Sequence, residues 1–288
     1  MSTHGDLEIV TEMRLRDWAL PGAGDTKNSR GRLLVAGGSR STPGAVMLAG
    51  LAALRVGAGV LGLAVAESVA GPVAAAVPEA SVTGLPQLDG GRDGGELAGA
   101  VSGMTTVLVG PGLDDPQAAE DLVRQTIEAV DNSTSLVLDA FALGVLPALD
   151  RVDRIAGRCV LTPNPNEAAR LLELDDVDDV DEPQVASEIA KRFGAVVSFQ
   201  NTVASPEGGL WSVPTGHAGL GTSGSGDVLA GAVAGLLARG ADLAQAACWG
   251  TFLHGSAGDR LASRVGRLGF LARELVDELP LVIVQTEA

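Results

Sequence analysis

The chain has 288 residues, 46% apolar and 19% charged, which excludes a disordered polypeptide and leaves room for one large or two small domains. Aromatic residues make up only 3% and tyrosine is absent, so Ala, Val and Leu must fill the core, as they do where helices pack closely on a sheet. With 20 basic against 36 acidic residues the formal net charge is −16, a surface that repels phosphate backbones and makes nucleic acid and anionic membranes poor partners.

Met1 to Val10 carries Asp6 and Glu8 and no apolar core, so it does not read as a signal peptide, and residues 1–26 are set apart as an N-terminal extension. Strands are predicted at Leu33–Gly38, Val60–Ala66, Thr106–Gly110, Leu136–Asp139, Val160–Pro163 and Ala195–Ser198, most of them apolar on both faces. Between them, Gly44–Val56, Pro116–Val130, Pro165–Leu174 and Gln184–Phe193 read as helices. The longest apolar stretch, Gly44 to Ala66, is broken by Arg55 and by Gly57, Gly59 and Gly62, which suits a helix and a buried strand better than a membrane span. Gly84 to Gly103 reads as a surface excursion with a short helix, and the acidic run Asp175 to Glu182 as a solvated loop. From Gly224 onward the pattern becomes three helices, Gly224–Ala238, Leu243–Leu261 and Leu271–Leu279, expected to pack on the same sheet. The alternation of strand and helix over residues 27–288 predicts a single α/β domain. Cys159 and Cys248 have no metal-site spacing and read as buried small hydrophobes in a cytoplasmic protein.

Chemistry concentrates in Gly219-Leu220-Gly221-Thr222-Ser223-Gly224-Ser225-Gly226-Asp227, which opens a helix. Glycines let successive N–H groups of Gly221 to Gly226 point at one spot, and the helix start adds partial positive charge, so the segment suits a phosphate. Asp227 enters the first turn, where a carboxylate could act as a general base on a substrate hydroxyl as phosphate is transferred. The plainer alternative is a helix cap, which needs one polar residue and no glycine cluster. Asn164-Pro165-Asn166-Glu167 also follows a strand and starts a helix. Asn164 and Glu167 fall on one face of its first turn, as a capping box requires and as a pair organising a hydrated Mg²⁺ would require. His254 lies within a predicted helix, with packing and functional roles both open.

Gly-Ser-Gly-Asp opening an Ala/Gly/Leu-rich helix resembles the ribokinase-like signature, and other segments resemble the NAD(P)H-hydrate dehydratases in order. These are Lys27 to Arg32, the strand Leu33 to Ser39, Pro43-Gly44-Ala45, Ala52 to Gly59, Val109-Gly110-Pro111-Gly112-Leu113, Val137-Leu138-Asp139-Ala140, Leu161-Thr162-Pro163 with Glu167 to Leu171, and Leu253-His254-Gly255 to Asp259. The resemblance implies a ribokinase-like three-layer sandwich with a mostly parallel central sheet flanked by helices. It also implies repair of hydrated NADH and NADPH (NADHX and NADPHX). ADP, or ATP in eukaryotic members, phosphorylates the ring hydroxyl, and phosphate then leaves; ADP as donor gives AMP. On that reading Asp227 is the base, and Gly221, Thr222, Ser223, Gly224, Ser225, Gly226, Asn164, Glu167 and Gln200 meet the nucleotide. Pro43, Gly44, Ala45, Gly112, Asp139, Asn164 and Asp227 meet the substrate, and Asn164 and Glu167 hold Mg²⁺ through water. A homo-oligomer and a functionally linked, separate epimerase are implied as well.

Several positions depart from the family pattern. Gln200-Asn201 stands where members usually carry Lys-Gly, and Asp139-Ala140-Phe141-Ala142-Leu143 where they carry Asp-Ala-Asp-Ala-Leu. Asn164 and Asn166 replace a usual His and Gly, and His217 a usual Asn. A neutral amide at 200 forfeits a point charge toward a phosphate. Rival readings are a ribokinase-like kinase that phosphorylates a hydroxyl without elimination, and a degenerate nucleotide-binding paralogue. Retention of Asp227 speaks against the second, and Pro43-Gly44-Ala45 with Lys27 to Gly31 against the first.

Overall fold

Short apolar runs closed by glycine or proline become strands, and the longer runs with one apolar face that follow them become helices. In the computed structural model, which describes residues 7–22, 24–149, 152–177 and 181–288, the acidic positions 178 and 179 lie outside the described residues. The first half of the chain gives β1 (Glu8–Ile9), α1 (Glu12–Asp17), β2 (Arg32–Ala36), α2 (Gly44–Arg55), β3 (Val60–Ala66), α3 (Glu67–Ala76), β4 (Ala80–Leu85), α4 (Glu96–Val101), β5 (Thr106–Val109), α5 (Pro116–Ala129), β6 (Ser135–Leu138) and α6 (Phe141–Val145). It continues with β7 (Cys159–Leu161), α7 (Pro165–Leu172), α8 (Glu182–Phe193), β8 (Val196–Phe199), β9 (Thr202–Ala204), β10 (Leu210–Ser212), α9 (Ser225–Ala238), α10 (Leu243–Arg264) and α11 (Ala272–Glu287).

Among the described residues all strands join one sheet in the order β1-β10-β9-β8-β7-β6-β5-β2-β3-β4, parallel except where β9 pairs antiparallel with β8 and β10. Successive side chains of β2 serve opposite layers. Leu33 and Val35 join the core beneath α2, α9 and α10, whereas Leu34 and Ala36 join the core beneath α4, α5 and α8. Both faces are therefore dry, and every residue of β5 and β8 is buried. The result is the three-layer α/β arrangement expected. The chain lays β3 and β4 on one side of β2 and then β5 on the other, so a crevice opens between the carboxyl ends of β2 and β5, where ligands bind in open α/β sheets.

Two expectations need correction. Of the last three helices, α9 and α10 pack on the sheet, but α11 lies on α2, α10, α9 and α1 because the sheet face is already covered. It also runs past Pro280, since burial of Val282, Ile283 and Thr286 anchors the final turns. The excursion from Gly84 contains the end of β4 before it reaches α4. Residues ahead of Lys27 contribute structure too: β1 pairs with β10, Trp211 Nε1 donates to Glu8 (3.0 Å), and Trp18 lies 6.0 Å from Trp211 between ring centroids. Trp249 and Gln245 of α10 donate to the Trp18 carbonyl at 2.9 and 3.0 Å. Both cysteines are buried and unpaired. No helix among the described residues is long and apolar enough to cross a membrane.

The tightest contact in the helical layers is between α2 and α9. A Cβ on Gly231 would sit 2.1 Å from the Ala49 carbonyl oxygen, and one on Gly235 would sit 2.6 Å from Ala53 Cα, so the two backbones touch. Gly231→Ala should therefore lower Tm in a thermal melt. Overpacking costs about 2 kcal/mol, more than the ~1 kcal/mol that alanine gains over glycine in a helix. A rise in Tm would contradict the contact.

Candidate active site

The helices that meet at Gly231 both begin without a side-chain cap. The N-cap of α2 is Pro43 and that of α9 is Gly224, and neither start is satisfied by a side chain. Gly224 has φ +88°, and a Cβ there would lie 2.6 Å from Leu48 of α2, so the loop can follow this course only with glycine. The turn ahead of α9 closes with the Ser225 N–H on the Thr222 carbonyl (3.1 Å), bringing Gly221 to Gly226 around one helix start. Gly226 differs from its neighbour: its φ is ordinary and a Cβ would meet nothing within 4 Å, so close backbone packing does not explain it. Asp227 sits in the first turn of α9 without capping it, which removes the plainer reading of this residue. Orphan N–H groups and uncompensated dipole make such starts receptive to anions.

Three carboxylates gather at the same edge of the sheet. Asp139 follows β6 and is 6% exposed; Thr162, just after β7, donates its hydroxyl to it at 2.9 Å. Burial, then Glu167 and Asp227, push the Asp139 carboxyl well above the usual carboxylate range. Burial also raises Glu167 against the pull of its hydrogen bonds with Asn164. Asp227 is raised to about 6, first by burial and second by Glu167. Ala140, between Asp139 and α6, is held at φ 51° and ψ −130°, a conformation costing on the order of 1–3 kcal/mol for a residue with a Cβ. Phe141, beside it, is partly exposed.

Asn164 and Glu167 form the capping box: Asn164 Oδ1 accepts from the Glu167 N–H at 3.0 Å, and Glu167 Oε2 accepts from the Asn164 N–H at 2.9 Å. The second oxygen of Glu167 is not part of that box. Pro43, Gly44 and Ala45 lie at the crevice next to Gly112, whose carbonyl accepts from the Thr42 hydroxyl at 2.8 Å. Gln200 stands further along the edge, in the β8–β9 turn with φ 50°, a left-handed position that a glycine occupies without strain. It lines a cavity of about 370 Å³ together with Pro163, His217, Leu229 and His254. A cavity of about 520 Å³ at the amino ends of β6 and β8 gathers no comparable cluster.

Sequence reasoning left His254 undecided and missed its partner. His254 is buried in α10 and shares a 2.8 Å hydrogen bond with Ser225 Oγ, and burial depresses its pKa to about 4, so the ring is neutral. It thereby ties the wall of the cavity to the start of α9. His217 organises the loop ahead of that helix: Nδ1 accepts from the Gly219 N–H at 2.9 Å while Nε2 faces the Gly258 carbonyl at 3.3 Å. The local signals were only a histidine within a helix and a histidine before a glycine run.

The family model described as NAD(P)H-hydrate dehydratase matches residues 33–281. A protein of Xanthomonas campestris named ADP-dependent (S)-NAD(P)H-hydrate dehydratase is 44% identical over 282 residues, covering 95% of each chain. A bifunctional NAD(P)H-hydrate repair enzyme of Moorella thermoacetica is 37% identical over 91% of this chain and 51% of its own length. In structure, the ADP/ATP-dependent NAD(P)H-hydrate dehydratase of Bacillus subtilis, co-crystallised with ATP/Mg²⁺, superimposes with a TM-score of 0.80 at 27% identity, covering 98% of this chain and 99% of that one.

The raised pKa of Asp227 links to stability with a definite sign. A carboxyl whose folded pKa lies above its unfolded value of 3.8 favours the native state below that value and loses the contribution as pH rises through about 6. Asp227→Asn should therefore raise Tm at pH 7.5 relative to the parent, with the gain disappearing near pH 4. Melts of both proteins across this range check it, and an equal difference at both pH values would refute the burial described.

Proposed function

The chain belongs to the NAD(P)H-hydrate dehydratase family, and we propose that it restores hydrated NADH and NADPH by a nucleotide-driven elimination in which Asp227 is the base. The observation that carries this reading is the half-buried Asp227 carboxylate, raised to about 6, at the uncapped glycine-rich start of α9. A base needs to be ionised at the working pH while staying as basic as that allows, and a value near 6 meets both demands.

Hydroxide is a poor leaving group and phosphate a good one. Asp227 takes the proton from the ring hydroxyl as its oxygen attacks the terminal phosphorus of ADP. The bond from that phosphorus to the bridging oxygen breaks, and AMP departs. The N–H groups of Gly221 to Gly226 hold the charge that develops on the moving phosphoryl group. Phosphate then leaves the ring with the electrons of the C–O bond, the neighbouring carbon gives its proton to the departing phosphate, and the electrons of that C–H bond form the restored double bond of the nicotinamide. Asp139, buried at the end of β6 and accepting from the Thr162 hydroxyl, faces the same site with its ionisation disfavoured, which lessens its repulsion of the substrate's phosphates. Gly112 and the segment Pro43 to Ala45 line the dinucleotide's side of the crevice, and Gln200 and the cavity wall the nucleotide's side.

Carboxylate and amide oxygens at Glu167 and Asn164 suit a hard cation, and the second carboxylate oxygen of Glu167 lies outside the capping box. Those two residues would hold Mg²⁺ through water, where it would supply positive charge for the nucleotide phosphates. The neutral Gln200 leaves more of that task to the helix start.

Incubation of the purified chain with hydrated NADH, Mg²⁺ and either ADP or ATP should restore the absorbance of reduced nicotinamide, with faster turnover on ADP. Absence of turnover with both nucleotides would remove the reading. Asp227→Asn should lower kcat by about 10²-fold or more while leaving nucleotide affinity within a few-fold. Since a Cβ on Gly226 meets no protein atom, Gly226→Val should keep the parent Tm and yet lose nucleotide affinity in calorimetry; unchanged affinity would move the phosphate site elsewhere.

A further inference from the structure

The loops that follow β2 and β5 are joined by more than the sheet requires. The Gly38 N–H donates to the Pro111 carbonyl at 2.8 Å and the Ser39 N–H to the Gly112 carbonyl at 2.7 Å, so the two loops run side by side across the crevice. A Cβ on Gly112 would come 2.4 Å from the Thr42 carbonyl oxygen, which shows how little space separates them. One side chain of the β5 loop fastens this arrangement. Asp114 Oδ2 accepts from Ser39 Oγ at 2.7 Å and from Ser41 Oγ, and Ser39 Oγ lies within 3.0 Å of Ser41 Oγ and 2.9 Å of Thr42 Oγ1. Ser39 is buried, whereas Ser41, Thr42 and Asp114 are exposed.

We propose that Asp114 is a positioning residue for the dinucleotide: by gripping the Ser39–Thr42 turn it fixes where Pro43, Gly44 and the uncapped start of α2 meet the substrate. Three features support it. The residues it grips immediately precede Pro43, and a Cβ on Gly44 would meet nothing within 4 Å, so this start faces open space. The turn has no other side-chain anchor in the β5 loop among the described residues, since Thr42 reaches only the Gly112 backbone. The hydroxyls also keep the Asp114 carboxyl below its usual range, so the grip persists across the pH interval in which Asp227 titrates. Asp114 touches neither the cavity lined by Gln200 nor the glycine-rich start of α9 in this arrangement, so its effect should fall on one substrate alone.

The proposal rests on the dehydratase reading, and the experiment separates the two. Asp114→Asn preserves size but replaces one acceptor oxygen by a donor, leaving the serine hydroxyls short of a partner. With ADP, Mg²⁺ and hydrated NADH, the variant should show KM for the dinucleotide raised about tenfold, because the released Ser39–Thr42 turn no longer holds Pro43 and Gly44 in the binding geometry. KM for ADP, kcat and Tm should stay close to the parent values, and Asp114→Glu should recover part of the loss. Hydrogen exchange at the Ser39 amide should quicken in Asp114→Asn. If the parent turns over and the variant matches it in KM for the dinucleotide, the proposal fails while the dehydratase reading stands. A parallel rise in both KM values together with a lowered Tm makes Asp114 merely structural and also overturns it. A parent that does not turn over overturns both.

Discussion

The contact on which the rest depends is the meeting of two backbones where α2 crosses α9 at Gly231 and Gly235. Only with no side chain between them can the helices come so close, and their closeness brings both starts to the same edge of the sheet. Leu48 of α2 presses against Gly224, so the position of one start is set by the other. The crevice between β2 and β5 then has an N–H-rich helix end from each of two distant parts of the sequence. A fold that separated them by one side-chain layer would move them apart by several ångströms and leave two unrelated helix termini.

Charge is balanced unusually at this edge. The helix starts offer partial positive charge, yet Asp139, Glu167 and Asp227 stand among them, and Glu167 disfavours ionisation of both aspartates. Depth sets how each is perturbed. Asp139, deepest and hydrogen-bonded to Thr162, is pushed well above the usual carboxylate range, while Asp227, nearer to solvent, is raised to about 6. Environment thus perturbs groups of one chemical type without any lysine at the turn.

Local pattern made much of this legible. The apolar runs of β2, β3, β5 and β6 and the helices α2, α5, α7 and α8 lay within a few residues of their expected ends, because each is punctuated by glycine, proline or a cap. The Asn164–Glu167 box could be read as a box because both partners lie three residues apart. Elements hidden by their own composition were lost: α3 carries Gly71-Pro72 in its interior, β4 carries Gly84, and β9 and β10 are three residues each. The site divides in the same way. The glycine loop and Asp227 are contiguous and stood out, whereas Thr162 with Asp139, His254 with Ser225 and Ser39 with Asp114 are joined across 23 to 75 residues and exist only once the sheet is ordered. Gln200 was noticed for its lost charge, but its left-handed backbone needed the turn geometry.

The docking of the segment before Lys27 has an optical consequence. The chain has three tryptophans and no tyrosine. The Trp18 indole lies beside that of Trp211, and the Trp249 indole N–H donates to the Trp18 carbonyl, so all three residues belong to one seam. Intrinsic fluorescence therefore comes from the seam where β1 and α1 join β10 and α10, with no phenolic background and no tryptophan in the glycine loop itself. Emission would track detachment of that seam during unfolding, so a native-like spectrum certifies the seam rather than the loops that follow β2 and β5.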